Sequence, residues 1–324
     1  MLLGYSSLME LRHLRYFVAV AENGGNVSKA AGKIRLSQPA LSRQVHDLEN
    51  ELGVVLFERA GQRLYLTGAG EDLLAYGRKV LNEAAAFRER ARVLHGGDAG
   101  VLRVGATPQS LQRLLPTVLG RFRKAMPRVD VRLTEGPSAM LLDLIRKGTL
   151  HLAFATYEPD LRKGAHLVGV MPLFAVSNGE PEGQKDTLEV DALEDVPLLL
   201  LQHGFGAREL FDAACQVAHI RPHIFLESNA PATLLSLVSA DCGVAILPGT
   251  MDLRKSGLRV QKLVQEGVPL EFRVAVHWNP QRFLPPYAER FAEELSAHAI
   301  KEYAAAAISW GESLGPRRKR QLLK

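Results

Sequence analysis

Apolar and polar positions near the start of the chain alternate at helical spacing and predict two short amphipathic helices. The first helix covers residues 28–34, where Ala30, Ala31 and Ile34 form one apolar side. The second helix follows Ser37, which can cap it, and has Pro39 in its first turn, where the missing N–H costs nothing. Its apolar side consists of residues that recur every three or four positions, namely Leu41, Val45, Leu48 and Leu52. The opposite side of this helix should therefore face away from the core.

The outward side of the second helix carries groups that suit DNA. Gln38, Ser42 and Arg43 project from it. Glutamine and arginine can read adenine and guanine edges, while serine and the free amides at a helix start can bind phosphate. This side is therefore a candidate DNA-contacting face.

A predicted hairpin follows this helix. Gly53 ends the helix, and Arg59 and Arg63 then flank Gly61, where arginine can enter a minor groove. Two helices followed by such a hairpin have the layout of a winged helix-turn-helix. A three-helix packing module with an arginine-bearing surface would show the same local pattern, because helix-turn-helix motifs are short and degenerate.

A single long helix is predicted from Thr67, as its cap, to about Leu94, with Gly96 and Gly97 ending it. One side of it repeats every seven residues, at Leu73, Gly77, Val80, Ala84, Phe87, Ala91 and Leu94. A helix buried within one subunit could carry the same stripe. Because this helix stands between two predicted domains, we interpret the stripe as a seam with a second copy of the chain. The protein is then a homo-oligomer.

After residues 96–100 the pattern changes to short apolar strands that alternate with helices, which indicates a parallel α/β unit. The strands are predicted at 101–105, 129–134 and 151–155, and the helices at 111–126 and 140–147. A second unit has strands near 197–201, 224–226 and 244–247, and helices near 208–217 and 232–240. Residues 271–277 are predicted to return to the first unit as a strand, followed by a helix at 286–307. Two crossings between the units predict a hinged pair of lobes.

Ligands of open α/β lobes bind beyond the carboxyl ends of the strands, where helix starts offer unpaired amides to anions. In this chain that rule selects Thr107, Gln109, Ser110 and Ser138 in the first lobe, and Gln202, His203, Phe205 and Asn229 in the second. Hydroxyl, amide and imidazole groups with one ring suit a small carboxylate or a similar anion. The same residues could equally serve only as helix caps and turn formers.

Composition and charge change this picture little. Of the 324 residues 47% are hydrophobic and 23% charged, and the net charge is +5. Six basic residues and two acidic ones lie in residues 301–324, so most of the excess charge belongs to a tail that we expect to be solvated, although it could touch DNA phosphates. Residues 1–8 lack the basic start of a signal peptide and are expected to be an extension without a structural role.

The two cysteines, Cys215 and Cys242, form no CxxC pair and indicate a reducing, cytoplasmic setting. We expect buried thiols rather than a redox switch. No apolar run is long enough to span a membrane. His219 and His223 stand four apart, but Pro222 interrupts their helix and no further ligand accompanies them, so no metal is predicted.

Several segments resemble one family of proteins. MELRHLRYFVAVAENGG from Met9, SKAAGKIRLSQPALSRQVHDLENELGVVLFER from Ser28 and LTGAG from Leu66 resemble the N-terminal domain of the LysR-type transcriptional regulators. Two further segments resemble the sequence pattern of the effector-binding half of these regulators, namely GATPQSLQRLLPTVLGRFRKAMPRVDVRL and LLSLVSADCGVAILP. The resemblance covers roughly residues 9–300. It departs from the usual pattern at 25–27, where an aromatic or larger apolar residue is commoner, and at Gln62, in a wing position that is often basic.

The resemblance implies an α/β protein with a winged helix-turn-helix at 9–66, a dimerising linker helix at 67–95 and a two-lobed effector domain of the periplasmic-binding-protein type at 96–300. The basic tail at 301–324 follows these domains. The resemblance also implies that DNA is contacted by Ser37, Gln38, Pro39, Ser42, Arg43, Arg59 and Arg63. Double-stranded operator DNA with a partial inverted repeat, a small effector and a second or fourth copy of the chain are the implied partners, and no cofactor is implied.

Two other classes of function compete with this interpretation. A solute-binding or transport component would use the two lobes alone, but it requires an export signal and leaves the winged head unexplained. An enzyme would need a catalytic constellation, and the sequence offers no GxSxG elbow, P-loop or GxGxxG motif after a strand. A ligand-responsive regulator accounts for both halves.

Overall fold

In the computed structural model the chain divides into two compact units, Met1–Ala91 and Arg92–Lys324. The first unit begins with three helices and a two-stranded hairpin. The structure describes residues 9–61, 63–94, 99–179 and 186–309. The first elements are α1 (Leu11–Glu22), α2 (Val27–Ile34), α3 (Gln38–Leu52), β1 (Phe57–Ala60), β2 (Arg63–Leu66) and α4 (Gly68–Leu94). This order is that of a winged helix-turn-helix followed by a long helix.

Helix α3 begins and ends as its sequence predicts. The Ser37 hydroxyl accepts a hydrogen bond from the Ala40 N–H at 3.4 Å, and Gly53 ends the helix with φ of +65°. Leu41, Val45 and Leu48 are buried, as expected. They lie in the core of the head, by which we mean α1, α2, α3 and the β1–β2 hairpin. Leu52, predicted on the same buried side, is instead 37% exposed, because it is the last residue of the helix.

Helix α4 is capped by Thr67, whose hydroxyl accepts from the Gly70 N–H at 2.9 Å and donates to the Val55 carbonyl at 2.7 Å. The predicted stop at Gly96 and Gly97 lies outside the described residues. The predicted seam needs a correction. Gly77 is buried against α1 of its own head, where an added Cβ would lie 3.6 Å from a Val18 methyl, and Leu73 packs on the same core.

The exposed apolar side of α4 begins at Tyr76, one position before the seam residue Gly77. Its large members are Tyr76, Val80 and Phe87, which are 60%, 42% and 76% exposed. Tyr76 was not part of the predicted seam, whereas Val80 and Phe87 were. A partner could therefore pack along this stripe without displacing the head.

The second unit contains eleven strands and six α-helices in its described part. The strands are β3 (Gly100–Ala106), β4 (Val129–Glu135), β5 (Leu152–Thr156), β6 (Ala165–Ser177), β7 (Thr187–Glu189), β8 (Leu198–Leu201), β9 (Ile224–Ser228), β10 (Val244–Pro248), β11 (Arg259–Gln265), β12 (Val268–Pro269) and β13 (Glu271–His277). The helices are α5 (Pro108–Arg113), α6 (Leu115–Ala125), α7 (Ser138–Arg146), α8 (Gly206–Ala218), α9 (Pro231–Ser239) and α10 (Pro286–Ser309). Strands pair in the order β4-β3-β5-β13-β6-β10-β8-β9, with β11, β12 and β7 attached beside β6.

Strand β6 joins the two lobes. Its first half, from Ala165 to Pro172, pairs with β13 in the first lobe. Its second half, from Leu173 onward, pairs with β10 and β11 in the second lobe. Strand β13 returns to the first lobe, as predicted, and the structure places it between β5 and β6. Each lobe encloses its own apolar core. The sequence analysis assigned no element to β6, so the strand that connects the lobes comes from the structure.

The helix expected over residues 111–126 is two helices. Helix α5 ends at Arg113 and α6 begins at Leu115. Pro116 stands in the first turn of α6. A proline there has no N–H to donate to the preceding turn and its ring crowds that carbonyl, so the helix breaks.

In the described part of the chain no helix is long and apolar enough to cross a lipid bilayer.

His277 sits at the end of β13 and is fully buried. Its Nε2 donates to the Thr156 carbonyl at 3.1 Å, and its ring stacks on Tyr157. Burial lowers the pKa of His277 from 6.5 to about 4, with the positive charge of Arg146 acting in the same direction and the hydrogen bond to Thr156 against it.

We therefore expect the free energy of unfolding to fall as the pH drops from 6.5 to about 4. The unfolded chain takes up a proton on this group near pH 6.5, whereas the folded chain resists protonation until about pH 4. The group contributes up to about 1.4 kcal/mol per pH unit in this window. Urea unfolding at a series of pH values measures the slope. His277→Gln should flatten it, and His223→Gln, at an exposed position, is the matched control. Equal slopes for both variants would contradict the assignment.

Candidate functional site

The outward side of α3 is open to solvent. Gln38, Pro39 and Arg43 are exposed, as is the capping Ser37, and Ser42 is half-buried. Among the described residues, Arg43 has no hydrogen-bond or ion-pair partner, so its guanidinium is available to an external group. The predicted DNA-contacting side chains of α3 thus share one accessible face.

Glu49 links α3 to the hairpin. Its carboxylate accepts from the backbone N–H groups of Leu56 and Phe57 at 2.8 and 3.0 Å. These amides would otherwise be left without partners where the chain enters β1. The sequence pattern did not single out Glu49, because a glutamate on a helix surface normally points into water. The contact fixes the hairpin at one position relative to the exposed side of α3.

The hairpin carries Arg59 and Arg63, both exposed, while Gln62 lies outside the described residues. The Arg59 Nε donates to the Gly61 carbonyl at 3.2 Å, which keeps this side chain along the hairpin tip. Gly25 supports the hairpin from α1's side: its carbonyl accepts from the Leu64 N–H at 3.2 Å. With φ of +71°, a Cβ there would lie 1.6 Å from the Leu64 oxygen, which explains why a larger residue is absent at this position.

A small cavity lies between the lobes of the second unit. Its polar lining comes from Thr107, Gln109, Ser110, Ser138, Thr156 and Thr250, and its main apolar lining from Phe154, Leu201, Phe205, Phe272 and Val274. The polar lining residues stand at or just beyond the ends of strands β3, β5 and β10 or at the start of α7, whereas Phe272 and Val274 belong to β13. The free volume is about 20 Å³. Since one water needs roughly 10–15 Å³, the closed cavity admits one or two waters.

The hydroxyl groups of the cavity are tied to one another. Ser138 Oγ accepts from the Thr156 N–H at 3.1 Å and from the Thr156 hydroxyl at 3.2 Å, which leaves the Ser138 hydrogen free to donate. Thr107 Oγ1 and Ser110 Oγ share one hydrogen bond of 2.9 Å. The hydrogen bond within that pair uses only one of its two hydroxyl hydrogens. The lining therefore presents donors without any titratable side chain.

Contacts between the lobes close the cavity. The Ala139 N–H, in the first turn of α7, donates to the Gly204 carbonyl at 3.1 Å. A Cβ on Gly206 would lie 2.1 Å from the Thr156 hydroxyl oxygen, so only glycine permits this approach. The lobes must move apart before anything larger than water can enter.

Five of the eight predicted effector residues meet at this cavity: Thr107, Gln109, Ser110, Ser138 and Phe205, all of them buried. Gln202, His203 and Asn229 are exposed and are not among its lining residues. Gln202 and His203 follow the end of β8 at Leu201 and Asn229 follows β9, and a role for these three residues in effector binding stays a prediction. Thr156 and Thr250 were missed, although both follow or end strands as the same rule requires.

Arg208, which the sequence analysis also missed, explains the position of His203. This buried guanidinium bonds to Asp212 at 2.8 and 2.9 Å, to Glu227, to the Leu201 carbonyl at 2.9 Å and to His203 Nε2 at 3.1 Å. Burial alone would lower the pKa of Arg208, but the hydrogen bonds to Glu227 and Asp212 raise it above its usual value. With these partners, Arg208 holds β8, β9 and α8 together and has little left to offer a ligand.

A larger cavity, of about 370 Å³, lies elsewhere in the first lobe beside His166, Trp278 and the start of α10. Its charged and polar lining residues include the exposed Glu289 and Glu293, and none of the buried polar atoms that lack a partner lines it. We therefore place the candidate ligand site in the smaller cavity, on the grounds of chemistry rather than volume.

Neither cysteine points to a redox site. Cys215 is buried within α8, and burial raises the pKa of its thiol to about 11, which opposes thiolate formation at neutral pH. Cys242 is partly exposed rather than buried as expected. Among the described residues no group of three or more His, Cys, Asp or Glu side chains is placed to hold a metal ion.

Comparison with known proteins agrees with both halves of this description. Residues 11–71 match the bacterial regulatory helix-turn-helix proteins of the lysR family, and residues 95–300 match the LysR substrate binding domain. The chain is 29% identical over 292 residues to the HTH-type transcriptional regulator YybE of Bacillus subtilis, covering 90% of this chain and 99% of that protein.

Two similar solved structures span nearly the whole chain. A cysteine-to-aspartate variant of full-length OxyR from Pseudomonas aeruginosa is 27% identical, with a TM-score of 0.64 over 91% of this chain and 95% of that one. Full-length CbnR complexed with its target DNA is also 27% identical, with a TM-score of 0.60 over 90% of this chain and 100% of that one.

Proposed function

The chain belongs to the LysR family of DNA-binding transcriptional regulators, and we propose that a small anion bound in the cavity between its lobes controls how it engages an operator. The observation that carries the proposal is the cavity lining, in which hydroxyl donors converge without a titratable group. A site of this composition can hydrogen-bond a ligand but offers no side chain that titrates near neutral pH to act as a general acid or base. We infer that the protein is not an enzyme and that it acts in the cytoplasm, where the chromosome is.

We assign operator reading to the exposed side of α3. Gln38 and Arg43 can bond base edges in the major groove, and the Ser37 and Ser42 hydroxyls with the helix-start amides suit phosphate. Pro39 sits in the first turn and can pack against the DNA. Arg59 and Arg63 of the hairpin are placed to contact flanking backbone or minor groove. The Glu49 carboxylate supports this by fixing the hairpin beside α3.

Arg43→Ala should weaken specific operator binding by about 1 to 3 kcal/mol, because a free guanidinium facing the groove loses its base or phosphate contacts. Titration of labelled operator at constant salt measures the change. Arg162→Ala removes an equally exposed positive charge from the second unit and is the control. If both variants bind operator as the unchanged protein does while remaining folded, the assignment of α3 is wrong.

We propose that the regulator acts as a homodimer or homotetramer. Two heads related by a two-fold axis suit an operator with a partial inverted repeat. The exposed stripe of Tyr76, Val80 and Phe87 supports pairing of α4 with a second copy. The outer strands β4 and β9 also expose Leu133 and Phe225, which adds apolar surface on the second unit.

Val80→Glu combined with Phe87→Glu should raise the dissociation constant of the dimer at least about tenfold, since like charges would then meet across the stripe. Sedimentation of the full chain over a range of concentrations measures it. Ala75→Glu with Ala85→Glu adds the same charge at exposed positions of α4 outside the stripe. Equal dissociation of the two double variants would show that the stripe is not the interface.

The anionic character of the effector rests on the donors in the cavity. Ser138 and the Thr107–Ser110 pair each have a hydroxyl hydrogen to offer, and the start of α7 adds the positive end of a helix dipole. The Ala139 amide is engaged by Gly204 in the closed lobes and becomes available when they separate. A ligand that bridges these groups would hold the lobes at a different separation, which changes the population of the state that binds DNA.

Thr107→Val keeps the shape of the side chain but removes its hydroxyl, so an anion loses one hydrogen bond and about 1.5 to 3 kcal/mol of affinity. Calorimetric titration of the full chain with small carboxylates measures the loss. Thr233→Val, at an exposed position of α9, is the matched control. Operator binding without ligand should stay the same. Tight binding of a neutral or cationic ligand that is indifferent to Thr107→Val would overturn the anionic assignment.

A further inference from the structure

Two oxygen atoms in the cavity lack hydrogen-bond partners. They are Gln109 Oε1 and Thr250 Oγ1, and among the described residues no group lies within bonding geometry of either. Their residues are 8% and 2% exposed, and both line the cavity. A polar group that is buried without a partner costs free energy, because it has left water and regained nothing. An arrangement of this kind in a ligand cavity points to a group supplied from outside.

The two atoms come from opposite lobes. Gln109 lies in the first turn of α5, beyond the end of β3 in the first lobe, and Thr250 follows β10 of the second. The Arg113 guanidinium donates to the Thr250 carbonyl at 3.4 Å, and the Gly249 N–H donates to the Pro172 carbonyl at 2.8 Å. These bonds hold the backbone at Thr250 while its hydroxyl stays unengaged. A ligand between the lobes can therefore meet both side chains at once.

These groups are separate from the donors assigned to the anion. Ser138 and the Thr107–Ser110 pair are already linked in small networks that leave hydrogens to donate. The hydroxyl of Thr250 can donate and accept, and the amide of Gln109 presents a polar atom in either orientation. A plain alkyl or aryl carboxylate would satisfy the first set and leave the second unpartnered.

We propose that Thr250 and Gln109 read a second polar group on the effector, so that the effector is a small carboxylate bearing a hydroxyl or amino group. This inference rests on the proposed function, in which the cavity binds an anion. It adds that Thr250, which no family motif in the sequence singled out, determines specificity. The alternative is that a trapped water satisfies both oxygens, for which the cavity has room, and the effector's second group is then immaterial.

The test uses matched pairs of probes on the full chain: lactate against propionate, and 2-hydroxybenzoate against benzoate. Calorimetric titration gives a dissociation constant for each. We expect at least one hydroxylated member to bind about tenfold more tightly than its partner, which corresponds to about 1.4 kcal/mol. Equal binding within both pairs would overturn the inference and leave the anion site intact.

The variants connect that preference to the two side chains. Thr250→Val removes the hydroxyl at nearly constant volume, and Gln109→Leu removes the amide. We expect either change to reduce the preference within each pair to about twofold or less, since the second polar group of the probe then loses its partner. Thr250→Ser keeps a hydroxyl and should retain the preference, which also covers the case in which the valine variant does not fold. Thr233→Val is again the exposed control.

The outcomes separate the two proposals. Loss of the preference in Thr250→Val or Gln109→Leu, with retention in Thr250→Ser, supports the inference. A preference that survives in both Thr250→Val and Gln109→Leu overturns it and favours the trapped water. Failure of all four carboxylates to bind counts against the anionic cavity itself, and thereby against the inference that rests on it, whereas the assignment of α3 to DNA is unaffected.

Discussion

Hydrogen bonding along β6 is the constraint on which the second unit depends. The strand pairs with β13 over its first half and with β10 and β11 over its second, so one continuous backbone belongs to both lobes. The carboxyl ends of β3, β5, β8 and β10 consequently face a common space. Polar residues beyond those ends meet there, and a small change in the bend of β6 can alter the gap between the lobes without breaking either core.

The head follows a similar logic on a smaller scale. Burial of Leu41, Val45 and Leu48 sets the rotation of α3, which leaves the side with Arg43 exposed. Two sets of hydrogen bonds then position the hairpin. The Glu49 carboxylate accepts from backbone N–H groups where the first strand begins, and the Gly25 carbonyl accepts from the Leu64 N–H of the second strand. The surface that we propose to contact DNA is thus positioned by one apolar stripe and a few polar contacts, and its exposed side chains can vary without altering the fold of the head.

The groups that the cavity between the lobes can offer a ligand depend on which neighbouring polar and charged side chains already have hydrogen-bond or ion-pair partners. Arg208 is engaged by Asp212, Glu227 and the Leu201 carbonyl, so its positive charge stabilises the second lobe. The cavity itself retains hydroxyl and amide groups with an apolar wall. We propose that such a lining recognises small polar molecules by hydrogen bonds.

The sequence alone determined the type and order of most elements, because helix caps such as Ser37 and Thr67 and the apolar periodicity of α3 are local signals. It also selected Thr107, Ser110 and Ser138, since the ends of parallel strands can be located along the chain. Tertiary structure alone decided that Gly77 faces its own head, that His203 turns outward to Arg208, and that Thr250 joins the cavity. Each depends on a neighbour distant in the chain, and local periodicity does not encode which of several apolar or polar groups such a neighbour will cover.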